Sequence, residues 1–432
     1  MHRKTSKALA LGVAATVAIG TGFAQSQIQQ SQTQLQSTQS DSGTQSRTRP
    51  RAPRIRPPAI PNLPRAGIAF GDPLQGLTAD ELADFTEGLE EFQSKDTAES
   101  GLGPIFNNVS CVICHASPAV GGVSANFVTR FGHSANRGFD PMTAAGGSLL
   151  QDKAIDPAAL ESIPRDANVT TRRITTPLFG AGLIEAIPDS TIMDNANARK
   201  PDGVSGKVSM VQDAATGQMR VGRFGWKAQQ ASLLTFAGDA YLNEMGITNR
   251  VFPTENAPNG NMTLLAKYDL VDDPEDQTDP ASGKADIDHF ADFMRLLAPP
   301  SLLALSDDAK AGAALFVTTG CQACHQAAMV TGANPVAALD RKVVMLFSDL
   351  LLHDMGSLGD GIVQGSAGAR EMRTSPLWGL RGRNAFLHDG RAVTVDAAIR
   401  MHDGEAAPAR DRYVNRLSPA LQRQLQAFLD SI

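Results

Sequence analysis

Two copies of the pattern Cys-x-x-Cys-His constrain this chain more than any other feature of its sequence. They account for all four cysteines of the 432 residues. The first motif contains Cys111, Cys114 and His115, and the second contains Cys321, Cys324 and His325. Two thiols three positions apart can both add to the vinyl groups of one haem, and the histidine that follows can bind the iron. The sequence therefore predicts two covalently bound haem c groups, with His115 and His325 as proximal iron ligands.

Zinc and a redox disulfide are the other common uses of paired cysteines. Two Cys-x-x-Cys pairs can make a zinc site, but here 210 residues separate them and each pair has an adjoining histidine. A redox disulfide of the thioredoxin type needs a helix and sheet context that the flanking sequence lacks. Haem also explains an aromatic content of only 5%, because each porphyrin is itself a large flat core element. The sequence therefore favours haem over both alternatives.

The first 24 residues have the features of a secretory signal peptide. Arg3, Lys4 and Lys7 precede a short apolar stretch over residues 8–19, and small residues follow it. The stretch is shorter than the roughly 20 apolar residues that a membrane span needs. We therefore predict a signal peptide over residues 1–24 and a periplasmic or otherwise exported protein.

The next segment differs in composition from the rest of the chain. Residues 25–46 are a Gln, Ser and Thr tract that we expect to be disordered, and residues 47–65 are a linker rich in Pro and Arg. Nine of the 39 basic residues but one of the 45 acidic residues precede residue 66, so residues 66–432 have a net charge of −14. This acidic body argues against nucleic acid, whose phosphates need a cationic face. A small substrate and a basic redox partner protein fit this charge better. The sequence carries no signal for the oligomeric state.

The surroundings of the two motifs repeat as well. Ile105-Phe106 lies five positions before the first motif, and Leu315-Phe316 lies five before the second. Ser306 is a helix N-cap candidate at the start of the segment that leads into the second motif. The pattern predicts a mainly α protein of two cytochrome c-like haem domains, over residues 66–300 and 301–432, with long ordered loops and minor β structure.

Further signals mark individual elements. Thr78 opens a capping box for a helix that runs to about Gln93, and Ser418-Pro419 starts the last helix. Stretches rich in Gly, Asn, Asp and Pro predict ordered loops over residues 121–147, 196–217 and 253–284, with short strands within 206–223.

Several segments resemble one known family. They read GPIFN over 103–107, RFGWKA over 223–228, LLHDMG over 351–356, RTSPLWGL over 373–380 and LHDGRA over 387–392. Together, and in this order, they resemble the di-haem oxidoreductases grouped as peroxidase-like, over roughly residues 67–432. The chain is more remotely similar to the bacterial di-haem cytochrome c peroxidases and to the di-haem enzyme of methylamine utilisation.

The resemblance implies ligands on the far side of each haem. His402 stands where the peroxidases place the distal ligand of the second haem, with the neighbouring Met401 as an alternative; imidazole is the stronger iron ligand. His133 stands close to where those enzymes carry a distal histidine on the first haem. The alternative is that His133 is an exposed loop residue and that the first haem has an open sixth position.

The resemblance also assigns roles around the haems. Trp226 corresponds to the tryptophan between the two haems, and Glu244 to a carboxylate that moves a proton between peroxide oxygens. The peroxidases carry a glutamine between these two, but here the corresponding stretch reads Thr235-Phe236. Four further residues are assigned as supporting groups around the haems: His353, His388, Arg373 and Arg391. The two arginines are suited to bind haem propionates.

The function implied is an exported di-haem c-type oxidoreductase of the peroxidase kind. Electrons would pass from the C-terminal haem to a reactive N-terminal haem that takes peroxide or another small substrate. The alternative functions are an electron-transfer cytochrome with two six-coordinate haems and no catalysis, or an oxidase that acts on a protein or organic substrate. A calcium ion between the domains is also implied, although Arg383-Asn384-Ala385 replaces the Thr-x-Pro that precedes the His-Asp-Gly turn in relatives.

Overall fold

The structure is a computed structural model that describes residues 67–136 and 138–432. The predicted signal peptide over residues 1–24, and the tract and linker over residues 25–65, lie outside these described residues and stay predictions. Within the described part, no helix is both long enough and apolar enough to cross a membrane.

Eleven α-helices form in the described residues. They are α1 (Ala79–Gln93), α2 (Cys111–Cys114), α3 (Ala181–Glu185), α4 (Asp189–Asn197), α5 (Leu233–Ala240), α6 (Met262–Tyr268), α7 (Asp286–Leu296), α8 (Asp307–Thr319), α9 (Val395–Met401), α10 (Ala407–Arg416) and α11 (Pro419–Ser431). Short polar side chains begin several of them, as predicted. Thr78 and Glu81 form the capping box of α1, because each side chain accepts a hydrogen bond from the other's backbone N–H. Ser306 and Ser418 cap α8 and α11.

Twelve short strands pair antiparallel in the described residues. They are β1 (Ile105–Phe106), β2 (Phe127–Ala135), β3 (Gly138–Asp140), β4 (Leu149–Leu150), β5 (Lys153–Ala154), β6 (Val169–Ile174), β7 (Ser209–Gln212), β8 (Met219–Gly222), β9 (Met329–Val330), β10 (Val343–Val344), β11 (Leu352–Asp354) and β12 (Glu371–Arg373). In the largest sheet β2 pairs with β3, β4 and β6, and Phe131 lies opposite Thr170. The β7–β8 hairpin confirms the short strands predicted within 206–223.

The prediction of ordered loops over residues 121–147 is wrong for its central part, where β2 forms. The segment Phe127-Val128-Thr129-Arg130-Phe131 has the aromatic and β-branched residues that strands favour. Glycine and asparagine on both sides obscure that signal in the sequence. The strand is stabilised by pairing with β6, some 40 residues later, which no local pattern reveals.

Two main hydrophobic cores hold the described residues together. In the first, α1 packs on α7 around Phe85, Phe92 and Phe293. In the second, α8 packs on α11, where the rings of Phe316 and Phe428 lie 5.4 Å apart. Helix exceeds strand in a mixed α and β fold. The first core also takes residues from beyond residue 300. The division into two haem domains at that residue stays a prediction.

Candidate functional site

The first motif forms one helical turn, α2, and its histidine is held by the loop that follows. The Nδ1 of His115 donates to the backbone oxygen of Gly122, at 3.1 Å. Burial lowers the pKa of His115 to about 4, so the imidazole is neutral at pH 7. A neutral imidazole with Nδ1 bonded to a carbonyl presents Nε2, the arrangement that metal-binding histidines adopt.

A cavity of about 1200 Å³, counting space open to solvent, adjoins this motif. We call it the N-terminal cavity, and the residues of its wall that matter below are Asn107, His115, Arg130, Trp226, Asp239 and Glu244. The ring of Phe92 meets His115 edge-on, with the centroids 5.7 Å apart. The first core thus reaches the base of the cavity and fixes the orientation of the imidazole.

Glu244 lies in the wall of this cavity, on a π-helical turn at Tyr241–Met245. Such turns are rare in proteins overall, but many of those known lie at functional sites. The Oε2 of Glu244 accepts a hydrogen bond of 2.7 Å from the side-chain amide of Asn107. Burial raises the pKa of the Glu244 carboxyl, while Asn107 and Arg130 act in the opposite direction. Burial thus favours the protonated form of this carboxyl, which makes Glu244 a candidate for proton transfer within the cavity.

Arg130, Asp239 and Gln229 also line the N-terminal cavity, and the sequence pattern did not single them out. The Nε of Arg130 is buried without a hydrogen-bond partner. Gln229, three residues after Trp226, supplies a side-chain amide to this cavity. Thr235-Phe236 occupies the position that corresponds to the glutamine of the peroxidases. The nearness of Gln229 to the tryptophan in the sequence was the only signal that could have found it.

His133 is not among the residues that line the N-terminal cavity. Its Nδ1 instead bonds to the backbone oxygen of Asp166, at 2.5 Å. Both His133 and Arg130 belong to β2, and side chains three positions apart on a strand point to opposite faces. Since Arg130 lines the cavity, His133 faces away from it, and its predicted ligand role finds no support in this geometry.

The second motif follows α8, which ends at Thr319 and has Gly320 as its C-cap, in the left-handed conformation with φ +98°. The Nδ1 of His325 donates to the backbone oxygen of Phe347 at 3.0 Å. Burial, with the charge of His402 as a smaller cause, lowers the pKa of His325 to about 4. The two predicted proximal histidines therefore share one arrangement: a neutral ring, bonded through Nδ1 to a backbone carbonyl.

His402 faces His325 across a second cavity, of about 1600 Å³ counting open space, which we call the C-terminal cavity. The two ring centroids lie 6.5 Å apart. The Nδ1 of His402 donates to the backbone oxygen of Ala398 at 2.8 Å, and burial lowers its pKa. The separation accommodates one metal atom with a nitrogen at about 2 Å on each side. Met401 is 38% exposed and does not line the cavity, so the geometry favours His402 over Met401.

Three arginines line the C-terminal cavity, and of these only Arg373 was predicted; the others are Arg383 and Arg410. Arg373 and Arg383 have no ion pair with any acidic side chain of the described part, and desolvation lowers the pKa of both to about 10. Desolvated cations without counter-charges suit a ligand that brings carboxylates. Arg391 pairs with Asp389 at 2.5 Å, is 44% exposed and is absent from the cavity wall.

Trp226 lines both cavities, together with Ile174 and Thr175. Its Nε1 donates to the backbone oxygen of Ile174 at 2.8 Å. The ring of His388 meets the indole edge-on at 6.3 Å, and the Nε2 of His388 is buried without a hydrogen-bond partner. The structure thus places one indole between the two candidate sites, in an orientation that a backbone bond fixes.

A buried charge cluster adjoins the tryptophan. The carboxylate of Asp360 accepts from Nε and Nη2 of Arg173 at 2.8 and 2.6 Å, and it pairs with Nζ of Lys227 at 2.9 Å. These three side chains are at most 4% exposed. Arg173 also lines the N-terminal cavity, so one member of this cluster lies in its wall.

Each cavity thus combines a neutral histidine with a pair of free thiols, and the C-terminal cavity adds desolvated cations without counter-charges. The residues fit two haem groups, and the fold and sites define a di-haem oxidoreductase. The family model described as "Di-haem oxidoreductase, putative peroxidase" matches residues 157–432, and the chain belongs to this family. The first motif lies upstream of the matched residues.

Other comparisons add little. No curated protein matches the chain in sequence. Among solved structures, the chain is similar to a hydrazine synthase from Kuenenia stuttgartiensis that was pressurised with 20 bar of xenon. The sequence identity is 15%, and the match covers 87% of this chain and 100% of the hydrazine synthase chain. The TM-score is 0.35, and no argument about this chain follows from it.

One acidic group in the described part could hold a metal ion. Carboxylate oxygens of Glu255, Asp273 and Glu275 lie within 4.8 Å of one another. None of these residues lines either cavity. The prediction of calcium stays a prediction.

Proposed function

We propose that this protein is an exported di-haem c-type oxidoreductase that reduces peroxide at the N-terminal cavity and takes up electrons at the C-terminal cavity. The observation that carries the proposal is the difference between the cavities. The C-terminal cavity has two imidazoles facing each other at 6.5 Å, His325 and His402. The N-terminal cavity has one, His115, and its wall carries Glu244 and Arg130.

This difference suits two roles. When bound, haem supplies an iron that exchanges single electrons and that binds small ligands where an axial position is open. Paired imidazoles leave no open position, which suits electron uptake at the C-terminal site. A single imidazole leaves one side free, which suits reaction with a small ligand at the N-terminal site. The thiols of Cys111, Cys114, Cys321 and Cys324 would attach the two groups covalently.

The residues of the N-terminal cavity would handle protons. Glu244 would accept a proton from a peroxide oxygen and return it to the leaving oxygen, and burial, which raises the pKa of this carboxyl, makes it a stronger proton acceptor than an exposed carboxylate. Asn107 holds the carboxyl in place through its 2.7 Å hydrogen bond. Arg130 offers an unpaired N–H to developing negative charge.

The remaining residues would orient the groups and separate the sites. Arg373 and Arg383 bind propionates in the C-terminal cavity, and Trp226 stands between the two sites. We also propose that residues 1–24 direct export, that residues 66–300 and 301–432 form one haem domain each, and that a basic redox protein delivers electrons to the acidic body.

Peroxide turnover by the purified holoprotein tests the proposal. We expect consumption of hydrogen peroxide with a reduced small cytochrome as donor, and a fall of at least about a hundredfold in kcat for Glu244→Gln. Haem stain that persists under denaturing electrophoresis would show covalent attachment. Turnover no faster than that of free haem, with both haems low-spin, would instead identify an electron-transfer cytochrome.

A further inference from the structure

His353 joins two carboxylates inside the wall of the C-terminal cavity. Its Nδ1 lies 2.7 Å from Oε2 of Glu405, and its Nε2 lies 3.0 Å from Oδ2 of Asp349. The imidazole side chain is 1% exposed. A carboxylate can only accept, so both ring nitrogens must donate, and the ring is an imidazolium. Burial alone would lower the pKa of His353, but its hydrogen bonds to Asp349, Cys324 and Glu405 raise it to about 11.

One end of this bridge reaches the proximal side of the cavity. The backbone N–H of Asp349 donates to the oxygen of Cys324 at 2.9 Å. Two residues before Asp349, the backbone oxygen of Phe347 accepts the Nδ1 hydrogen of His325. The segment that carries Asp349 therefore sets the position and the ring orientation of the proximal imidazole. Lys200 forms an ion pair with the same carboxylate.

The other end reaches the distal side. Glu405 follows His402 by three residues, after α9 has ended at Met401. Between them Gly404 has φ +59°, a conformation that breaks the helical path. The carboxylate of Glu405 also accepts from the N–H and the hydroxyl of Ser205, at 3.1 and 2.6 Å. The distal imidazole therefore stands just ahead of a turn that is tied down through Glu405.

We propose that His353 is a positioning residue that holds the His402 segment against the His325 segment, and so keeps the iron between them six-coordinate. The proposal rests on the proposed function, since it requires that His325 and His402 hold the C-terminal haem. Asp349, His353 and Glu405 form a side-chain path in the described part from the proximal segment to the distal one, and Sγ of Cys324 lies 3.7 Å from Nδ1 of the same imidazole. A bridge with a solely structural role would affect stability and leave the iron ligands unchanged.

Counting cyanide-binding haems in the ferric holoprotein tests the proposal. The wild-type protein should bind one cyanide per chain, at the N-terminal haem, because a haem between two imidazoles resists exchange. In Glu405→Ala the distal segment loses its tie, and we expect a second cyanide site whose affinity exceeds that of the wild-type C-terminal haem by about tenfold or more. Electron paramagnetic resonance should show the matching loss of the low-spin signal assigned to two imidazoles.

Matched variants make the outcome specific. Ser205→Ala removes one hydrogen bond to Glu405 but keeps the bridge, so it should bind one cyanide. Glu405→Gln keeps an acceptor for His353 and should also bind one, whereas His402→Ala should bind two. His353→Phe keeps the volume of the ring without its N–H groups, and it should behave as Glu405→Ala does.

Each result decides the matter. One cyanide per chain in the wild-type protein and in both Glu405→Ala and His353→Phe would overturn the role of the bridge and leave the proposed function standing. If His353→Phe does not fold, Glu405→Ala alone decides, since its side chain is partly exposed. A wild-type protein that binds two cyanides or none would refute the assignment of one closed and one open haem, and the bridge proposal with it.

Discussion

Replacing Asp360 by asparagine should destabilise the protein more than most single substitutions. The aspartate carboxylate is the counter-charge of both Arg173 and Lys227, and all three side chains are buried. Asparagine has nearly the same shape, so the substitution removes the negative charge and little packing. It also directs an amide N–H group towards two cations that have no other carboxylate partner within hydrogen-bond distance in the described residues.

The magnitude follows from the cost of leaving a buried charge without its partner. Removing one member of a buried pair costs about 3–5 kcal/mol, because the other member stays desolvated. Backbone oxygens of Gly368 and Glu371 still accept from Lys227, at 3.0 and 2.7 Å, and Gln364 still accepts from Arg173. These remaining bonds place the expected loss near the lower limit, at about 3 kcal/mol. Most domains have only about 5–15 kcal/mol of stability in all.

Urea denaturation of the holoprotein at pH 7 measures the loss, and the chain offers a matched control. Asp389 pairs with Arg391 at the surface, where Arg391 is 44% exposed, so Asp389→Asn should cost no more than about 1 kcal/mol. A loss below about 1 kcal/mol for Asp360→Asn, equal to that of the control, would refute the reasoning. It would mean that Arg173 and Lys227 are solvated or otherwise neutralised in the folded protein.

Three other substitutions have expected outcomes. Asn107→Leu removes the hydrogen bond that favours ionised Glu244, so the pKa of that carboxyl should rise. The acid limb of the pH profile of peroxide turnover should then move to higher pH. An unmoved limb would count against Glu244 as the proton acceptor. Ser306→Ala removes the N-cap of the second-core helix and should cost about 1 kcal/mol in urea denaturation, whereas no change would show that the cap is not formed. Burial raises the pKa of Glu255 to about 9, so the folded state binds this proton more tightly than the unfolded state, and the resulting stability is lost as pH rises through about 9. Glu255→Gln should flatten that fall between pH 6 and pH 9.5, and an unaltered slope would contradict the assignment.

Local chemistry made part of this molecule predictable. The capping box at Thr78 and the N-cap at Ser306 depend on residues only a few positions apart, and both form as expected. The two Cys-x-x-Cys-His motifs are local in the same sense, and each leads into a cavity. His402 was found through its spacing from a family motif, and the structure places it opposite His325.

The remainder of the site depends on contacts between distant segments. Arg130 lines the N-terminal cavity because β2 pairs with β6, and the same strand turns His133 away. Without knowledge of that strand, the sequence could not separate the two. Arg391 was assigned to the propionates and Arg383 was not, yet Arg383 lines the cavity, whereas Arg391 is paired with Asp389.

The shared wall between the two cavities has a consequence for dissecting the molecule. Val123, Ile174 and Trp226 line part of the C-terminal cavity, although its two cysteines and the two facing histidines, His325 and His402, lie beyond residue 320. A fragment that begins at residue 301 would carry every ligand atom and still lack that part of the wall, so its porphyrin would face bulk water. The C-terminal half therefore depends on the N-terminal half for part of its cavity wall, whereas the residues that line the N-terminal cavity all precede residue 300.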